Sequence, residues 1–260
     1  MVRLLMKLCY DGSGYHGWQK QKNGNSIQEE LERALAAFTH QNIAIIGAGR
    51  TDAGVHALAQ YAHFDYPGSM LPYQMLLAFR RNLPDDIKVL EIKPVSPLLS
   101  ARYQAYERSY RYVLAKEKTP FNRNYSGFLP HVKVSLAPMQ EAAIKLLGTH
   151  DFSSFGRANP EVPNRICNVL SIDIEETETA YVFVITADRF LHNMVRRIVG
   201  TLANIAHFAL RPDVIDAILS DACPRQNLVT TAPATGLYLI EVKYPANLLD
   251  ETVTPETLET

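Results

Sequence analysis

Arg3-Leu4-Leu5-Met6-Lys7-Leu8-Cys9-Tyr10 alternates as a strand does, and Ser26-Ile27-Gln28-Glu29 is a capping box that opens a helix. Ile27, Leu31, Leu35 and Phe38 then share one helical face. Working outward, residues 43–47 read as a strand running into a glycine-rich loop, and residues 60–66 alternate again. Residues 72–83 are helical, and residues 87–92 form a strand closed by Pro94 and Pro97. The order is βαββαβ.

The second half repeats that order. A long strand is expected over 102–115, a helix over 138–147, strands over 169–175 and 181–187, a helix over 190–208 and a last strand over 237–243. The expected fold is therefore α+β. Two ferredoxin-like (βαββαβ) halves would be related by a pseudo-two-fold, their sheets joined side by side with helices on one face and an active-site cleft between them. The halves would span 1–100 and 101–245, with an extra helix and a Thr/Ala/Pro loop over 211–235. Residues 246–260 read as an acidic, flexible tail.

Composition bounds the rest. The 260 residues are 47% hydrophobic and 20% charged, with 13 Tyr and 10 Phe, which excludes wholesale disorder. No stretch reaches the roughly 18 apolar residues of a membrane span, and the first seven residues are too short and too charged for a signal-peptide core. A cytoplasmic protein with no membrane partner is expected. Cys9, Cys167 and Cys223 lie far apart with no C-x-x-C pair, so neither a disulfide framework nor a thiolate zinc site is expected. The net charge of −1 argues against a polyanionic partner. The tail softens that objection, because residues 244–260 hold Asp250, Glu251, Glu256 and Glu259 and no Lys or Arg. A nucleic acid would still need a local basic patch.

Gly47-Ala48-Gly49-Arg50-Thr51-Asp52-Ala53-Gly54-Val55-His56 is the most unusual stretch. A dinucleotide fingerprint would place Gly where Asp52 stands, and a P-loop needs Gly-Lys-Ser/Thr. The loop instead presents Asp52, as a turn or helix-capping residue or as a catalytic carboxylate. Arg50 could hold a phosphate or orient that carboxylate.

Along 100–112, Arg102, Tyr106, Arg108, Tyr110 and Tyr112 would share one strand face. Guanidiniums interleaved with rings suit RNA phosphates and unpaired bases, although a solvated amphipathic strand has the same pattern. Along 190–200, Leu191, Met194, Val195, Ile198 and Val199 form a core stripe, while His192, Arg196 and Gly200 define another face. Arg196 there would reach a cleft or snorkel to solvent. His56 and His63 have no metal-ligand spacing, no metal is expected, and no nucleophile-elbow motif is present.

These residues resemble the tRNA pseudouridine synthases of the TruA type. The resemblance is carried by Tyr10 to Gln19, Gly49 to Ala57, Asn82-Leu83-Pro84-Asp85-Asp86-Ile87, Ala101-Arg102 through Tyr112, Gly148 to Phe155, Met194 to Gly200 and Gly236 to Leu239, in that order. It implies an isomerase that converts uridine to pseudouridine at nucleotides 38–40 of the tRNA anticodon stem-loop, as a homodimer and without a cofactor. Asp52 would be the catalytic aspartate, Tyr110 the active-site aromatic and Arg196 the basic partner of the carboxylate. Arg50, Arg80, Arg81, Arg102, Arg108, Tyr106 and His56 are the substrate-binding candidates. Arg80 stands where the family pattern has Asn, and is read as facing RNA. The alternative is a non-catalytic RNA-binding protein on the same duplicated scaffold, which would gain nothing from an anionic Asp52.

Overall fold

In the computed structural model, which describes residues 1–22, 24–130, 134–158, 163–221, 227–250 and 252, the opening stretch becomes β1 (Val2–Tyr10). The chain continues through α1 (Ile27–Thr39), β2 (Ile46–Gly47), β3 (His56–Tyr66), α2 (Pro72–Asn82) and β4 (Ile87–Pro94). Then follow β5 (Glu107–Ala115), α3 (Leu136–Ile144), β6 (Gly148–Asp151), β7 (Ile166–Glu176), β8 (Ala180–Ala187), α4 (Met194–His207), α5 (Val214–Asp221) and β9 (Leu237–Lys243). The fold is mixed, with largely antiparallel strands and, among the described residues, five α-helices.

The chain divides into two units, Met1–Glu107 with Leu239–Thr260, and Arg108–Tyr238. In the first, β1 runs antiparallel to β3 on one side and to β4 on the other, and β2 pairs with β3. Ser26 Oγ accepts the Glu29 N–H at 3.3 Å, so the cap that opens α1 forms. Ile27, Leu31 and Leu35 are fully buried. Each contributes on the order of 1.5–3 kcal/mol through burial. Phe38 meets Phe79 of α2 edge to face, with ring centroids 5.1 Å apart. In the second unit β8 lies between β5 and β7, antiparallel to both, and β6 pairs with β7. There α3 packs on α4 and on β7, and Phe152, Phe155, Phe183 and Ile198 are fully buried.

Several boundaries differ from the sequence expectation. β2 is only two residues long, because side chains of α1 take up the Ile45 backbone. Gln28 Nε2 donates to the Ile45 carbonyl at 3.0 Å, and the Ile45 N–H donates to Glu32 at 3.2 Å. β5 begins at Glu107 rather than 102. Residues 100–104 close into a turn in which the Ser100 N–H donates to Gln104 Oε1 at 2.7 Å. Helix α4 begins at Met194 rather than 190, because Asn193 takes the left-handed conformation (φ 65°) and breaks the preceding backbone. β6 was not expected, since Thr149, His150 and Asp151 offer no apolar alternation.

The expected boundary at 245 also moves, since β9 from Leu239 onward groups with the first unit. The Tyr106 N–H donates to the Lys243 carbonyl at 3.1 Å, and the Tyr244 hydroxyl to the Ala101 carbonyl at 2.8 Å. Of the tail expected to be flexible over 246–260, Ala246–Leu249 form a short 3-10 turn, and the Leu248 carbonyl accepts from the Ser96 N–H at 3.3 Å. Glu251 and residues 253–260, like Cys223, lie outside the described residues. Among the described residues no helix is long and apolar enough to cross a membrane, and no group of His, Cys, Asp and Glu is arranged to hold a metal ion.

His63 on β3 connects three segments of the first unit. Its Nδ1 accepts the Ala101 N–H at 3.1 Å, so that nitrogen is unprotonated, and the ring also bonds the Ile46 backbone. Burial, and then the charge of Arg3, hold its pKa below the ordinary 6.5. The unfolded chain therefore binds a proton that the folded one resists. As pH falls below about 6.5, this group favours unfolding, and the loss continues until the folded pKa is passed. Thermal melts from pH 7.5 down to pH 5 should show Tm falling, and His63→Asn, which keeps an acceptor near Ala101 but does not titrate, should flatten that slope.

Candidate active site

Asp52 is presented by a loop that leaves β2 and returns in β3. The Val55 N–H donates to the Asp52 carbonyl at 3.1 Å and closes a tight turn over residues 52–55. Its third residue, Gly54, sits at φ +77°, the position where a type II turn calls for glycine. No helix opens at Ala53, so the capping explanation of Asp52 fails, and the carboxylate is half-buried at the start of the turn.

The segment 10–18 braces this loop along its length. The Trp18 N–H donates to the Thr51 carbonyl at 3.0 Å, and the Gly54 N–H to the Tyr15 carbonyl at 3.4 Å. The Tyr10 hydroxyl lies 2.8 Å from Thr51 Oγ1, and buried Gln60 donates to the Gly49 carbonyl at 3.1 Å. Gly17 adopts φ +93°, and a Cβ there would lie 2.5 Å from the Thr51 carbonyl oxygen. The brace is itself anchored to the turn before β4. Tyr15 donates to Asp86 at 2.6 Å, and the Asp11 N–H to the Asp86 carbonyl at 2.9 Å. Burial, and then Asp86, push the Tyr15 phenol well above its ordinary pKa, so it stays protonated as that donor. Sequence reasoning used 10–19 only as a motif of the resemblance and assigned its residues no contact with the Asp52 loop; its run of Gly12, Gly14 and Gly17 around Tyr15 and Trp18, between a strand and a helix, was the available signal.

His56 was expected among the substrate contacts, but its side chain is 2% exposed. Its Nδ1 lies 3.2 Å from the Gly12 nitrogen and 3.1 Å from Asp11 Oδ1. An unprotonated Nδ1 accepts from Gly12, whereas a protonated one donates to Asp11. Either contact fixes the start of the brace. Arg50 is exposed and donates to Gln19 at 3.1 Å. Arg80 and Arg81 are exposed in the last turn of α2, where the helix dipole favours cations. Arg102 and Tyr106 are also exposed, but both precede β5, so the single strand face expected for them does not form. The groove along α1, about 850 Å³ and lined by Lys20, Glu32 and Arg33 among others, contains none of the expected site residues.

In the second unit Tyr110 lies on β5, its ring edge-on to Phe190 at 5.1 Å between centroids. Arg196, in the first turn of α4, donates from Nε to the Ala232 carbonyl at 2.8 Å and from Nη1 to Asn193 at 3.0 Å. Tyr112 was expected to share the RNA-facing strand surface, yet it is fully buried and donates to the neighbouring Pro233 carbonyl at 2.9 Å. The 229–235 loop is thus held by Arg196 and Tyr112. Gly200 on α4 is pressed against the Thr230 carbonyl, as the close approach read from the sequence requires. Arg108 is half-buried and donates to the Asp188 carbonyl at 2.9 Å. The structure therefore places Asp52 in the first unit and Tyr110 and Arg196 in the second. The Cys167 thiol, pushed up to about 12 chiefly by burial, is no nucleophile at neutral pH.

A family model described as tRNA pseudouridine synthase matches residues 8–104 and 142–245. The chain belongs to this family. It is 42% identical over 250 residues to a tRNA pseudouridine synthase A of Bacteroides fragilis, covering 95% of this chain and 98% of that protein. It is 40% identical over 249 residues to the Acetivibrio thermocellus protein of the same name, with 94% and 99% covered. The Asp52 loop with its brace and the Arg196 helix fall inside the matched segments, whereas Tyr106, Arg108 and Tyr110 fall between them. In this family member, Gly17→Ala should lower stability by about 1–3 kcal/mol and reduce turnover, because the Asp52 turn must shift. Gly14→Ala has open space around its Cβ and should change stability by less than about 0.5 kcal/mol. Paired thermal melts and activity assays check both.

Proposed function

We propose that this protein isomerises uridine to pseudouridine in tRNA, with Asp52 as the catalytic carboxylate, at nucleotides 38–40 of the anticodon stem-loop. The observation that carries the proposal is the braced, half-buried presentation of Asp52 within the segment that matches the family. The β4-β1-β3 pairing with β2 on β3 supports reading the first unit as ferredoxin-like. A second copy of the chain completing a homodimer would add basic surface for so large an anion.

The reaction breaks the N1–C1′ bond, turns the uracil and joins C5 to C1′. The C5 proton leaves and N1 gains one, so no redox partner or energy donor is required. An ionised Asp52 adds to C1′ or C6, or takes the 2′ proton to give a glycal. Arg196 serves as the cation that favours the charged carboxylate. Tyr110, its ring steadied by Phe190, stacks on the base, and its hydroxyl assists loss of the C5 proton. The uridine must leave its stack to be reached, at a cost of about a few kcal/mol. Phosphate contacts from the exposed Arg50, Arg80, Arg81 and Arg102 offset that cost.

Asp52→Asn keeps the side-chain volume and removes the charge. Pseudouridine formation on unmodified tRNA should fall by at least about 10²- to 10⁴-fold, while tRNA binding is retained. Sequencing-based pseudouridine mapping reads the outcome, and full modification at 38–40 by the variant would remove Asp52 from the mechanism.

A further inference from the structure

Between β5 and α3 the chain makes a closed excursion in the second unit. Its base is stapled by two backbone bonds, from the Ala115 N–H to the Gly127 carbonyl at 2.8 Å and from the Gly127 N–H to the Val113 carbonyl at 2.9 Å. Its tip is fixed by reciprocal bonds. The Thr119 N–H donates to Asn122 Oδ1 at 2.8 Å, the Asn122 N–H to Thr119 Oγ1 at 3.3 Å, and Asn122 Nδ2 to the Glu117 carbonyl at 2.8 Å. The Tyr125 carbonyl accepts the Tyr238 hydroxyl at 2.6 Å. Pro120 fixes one further dihedral.

This turn holds Phe121 at 91% exposure, the greatest among the large hydrophobic side chains described. Lys118 and Arg123 flank it, both exposed and neither in an ion pair among the described residues. Residues 116–126 carry three cations and one carboxylate, Glu117. A large apolar ring held in water by a hydrogen-bonded turn is costly unless it meets a partner. Because the turn is already ordered, that partner is bound without further loss of backbone entropy. Two exposed cations beside the ring favour a polyanion with accessible base faces over a neutral protein surface.

We infer that Phe121 is a substrate-binding residue that stacks on an unpaired base of tRNA, with Lys118 and Arg123 contacting the flanking phosphates. The inference rests on tRNA being the substrate, and it is read in binding, whereas a failure of the Asp52 assignment would be read in turnover. Phe121→Ala should weaken tRNA binding by about 5- to 150-fold and raise KM far more than it lowers kcat. Phe121→Leu, which keeps apolar bulk without a ring, should behave like Phe121→Ala, and Phe121→Tyr should bind like the natural chain. In Phe121→Trp the added indole should be quenched by tRNA, and the natural chain, whose single Trp18 is buried, supplies the control. Lys118→Ala and Arg123→Ala should each reduce the salt slope of binding by about 0.7–0.9.

Three results would overturn the inference. They are unchanged affinity in Phe121→Ala, wild-type affinity in Phe121→Leu, and a change of oligomeric state in Phe121→Ala on sedimentation. The last would assign the ring to a protein contact.

Discussion

The bonds from the Trp18 N–H to the Thr51 carbonyl and from the Gly54 N–H to the Tyr15 carbonyl tie two loops into one object. A carboxylate on an ordinary surface loop samples many positions. Here the Asp52 turn is fixed from below by β2 and β3, and from the side by the 10–18 segment. That segment is held in turn by Asp86 and His56. The glycines at 17 and 54 are the condition for this, since a side chain at 17 would force the two backbones apart and the φ of +77° at 54 is one that favours glycine. The placement of Asp52 is therefore a property of the first unit's backbone.

Electrostatics add a second constraint. With 26 basic residues against 27 acidic ones, the protein cannot draw in tRNA by net charge alone. The fold must sort its arginines, and it does. Arg50, Arg80, Arg81 and Arg102 stay exposed. Arg108 and Arg196 instead spend donors on backbone carbonyls inside the second unit. Arg197, next to Arg196, likewise donates to the Ser154 and Gly156 carbonyls, and burial, then Arg165 and Arg157, hold it below its ordinary pKa. The Arg/Tyr pattern over 100–112 could not tell a phosphate contact from a structural bond.

The legible parts of the sequence were those where chemistry is local. The Ser26 cap, the Ile27/Leu31/Leu35 stripe, the end of α2 before Pro84 and the strand at 237–243 follow from neighbours a few residues away. The turn at Asp52 was legible too, as one of the readings that the glycine-rich loop left open. The sequence could not show that Tyr112 belongs to the core, since Arg-Tyr alternation looks the same on a buried and a solvated strand. Nor could it show that His56 faces inward, or that residues 100–104 turn. The first two depend on partners far along the chain, Pro233 for Tyr112 and Gly12 for His56, and the turn at 100–104 on a Gln104 side chain that strand alternation does not read.

The amino-acid order alone determined most of the succession of strands and helices, because periodicity, capping and turn chemistry act over single turns of chain, and its ordered motifs carried the family. Tertiary structure decided what immobilises Asp52, which arginines stay exposed and that His56 and Tyr112 face inward. These are outcomes of hydrogen bonds between segments distant in sequence. No local pattern encodes them, since the same residue types satisfy their donors equally well in solvent until the fold brings a particular carbonyl within reach.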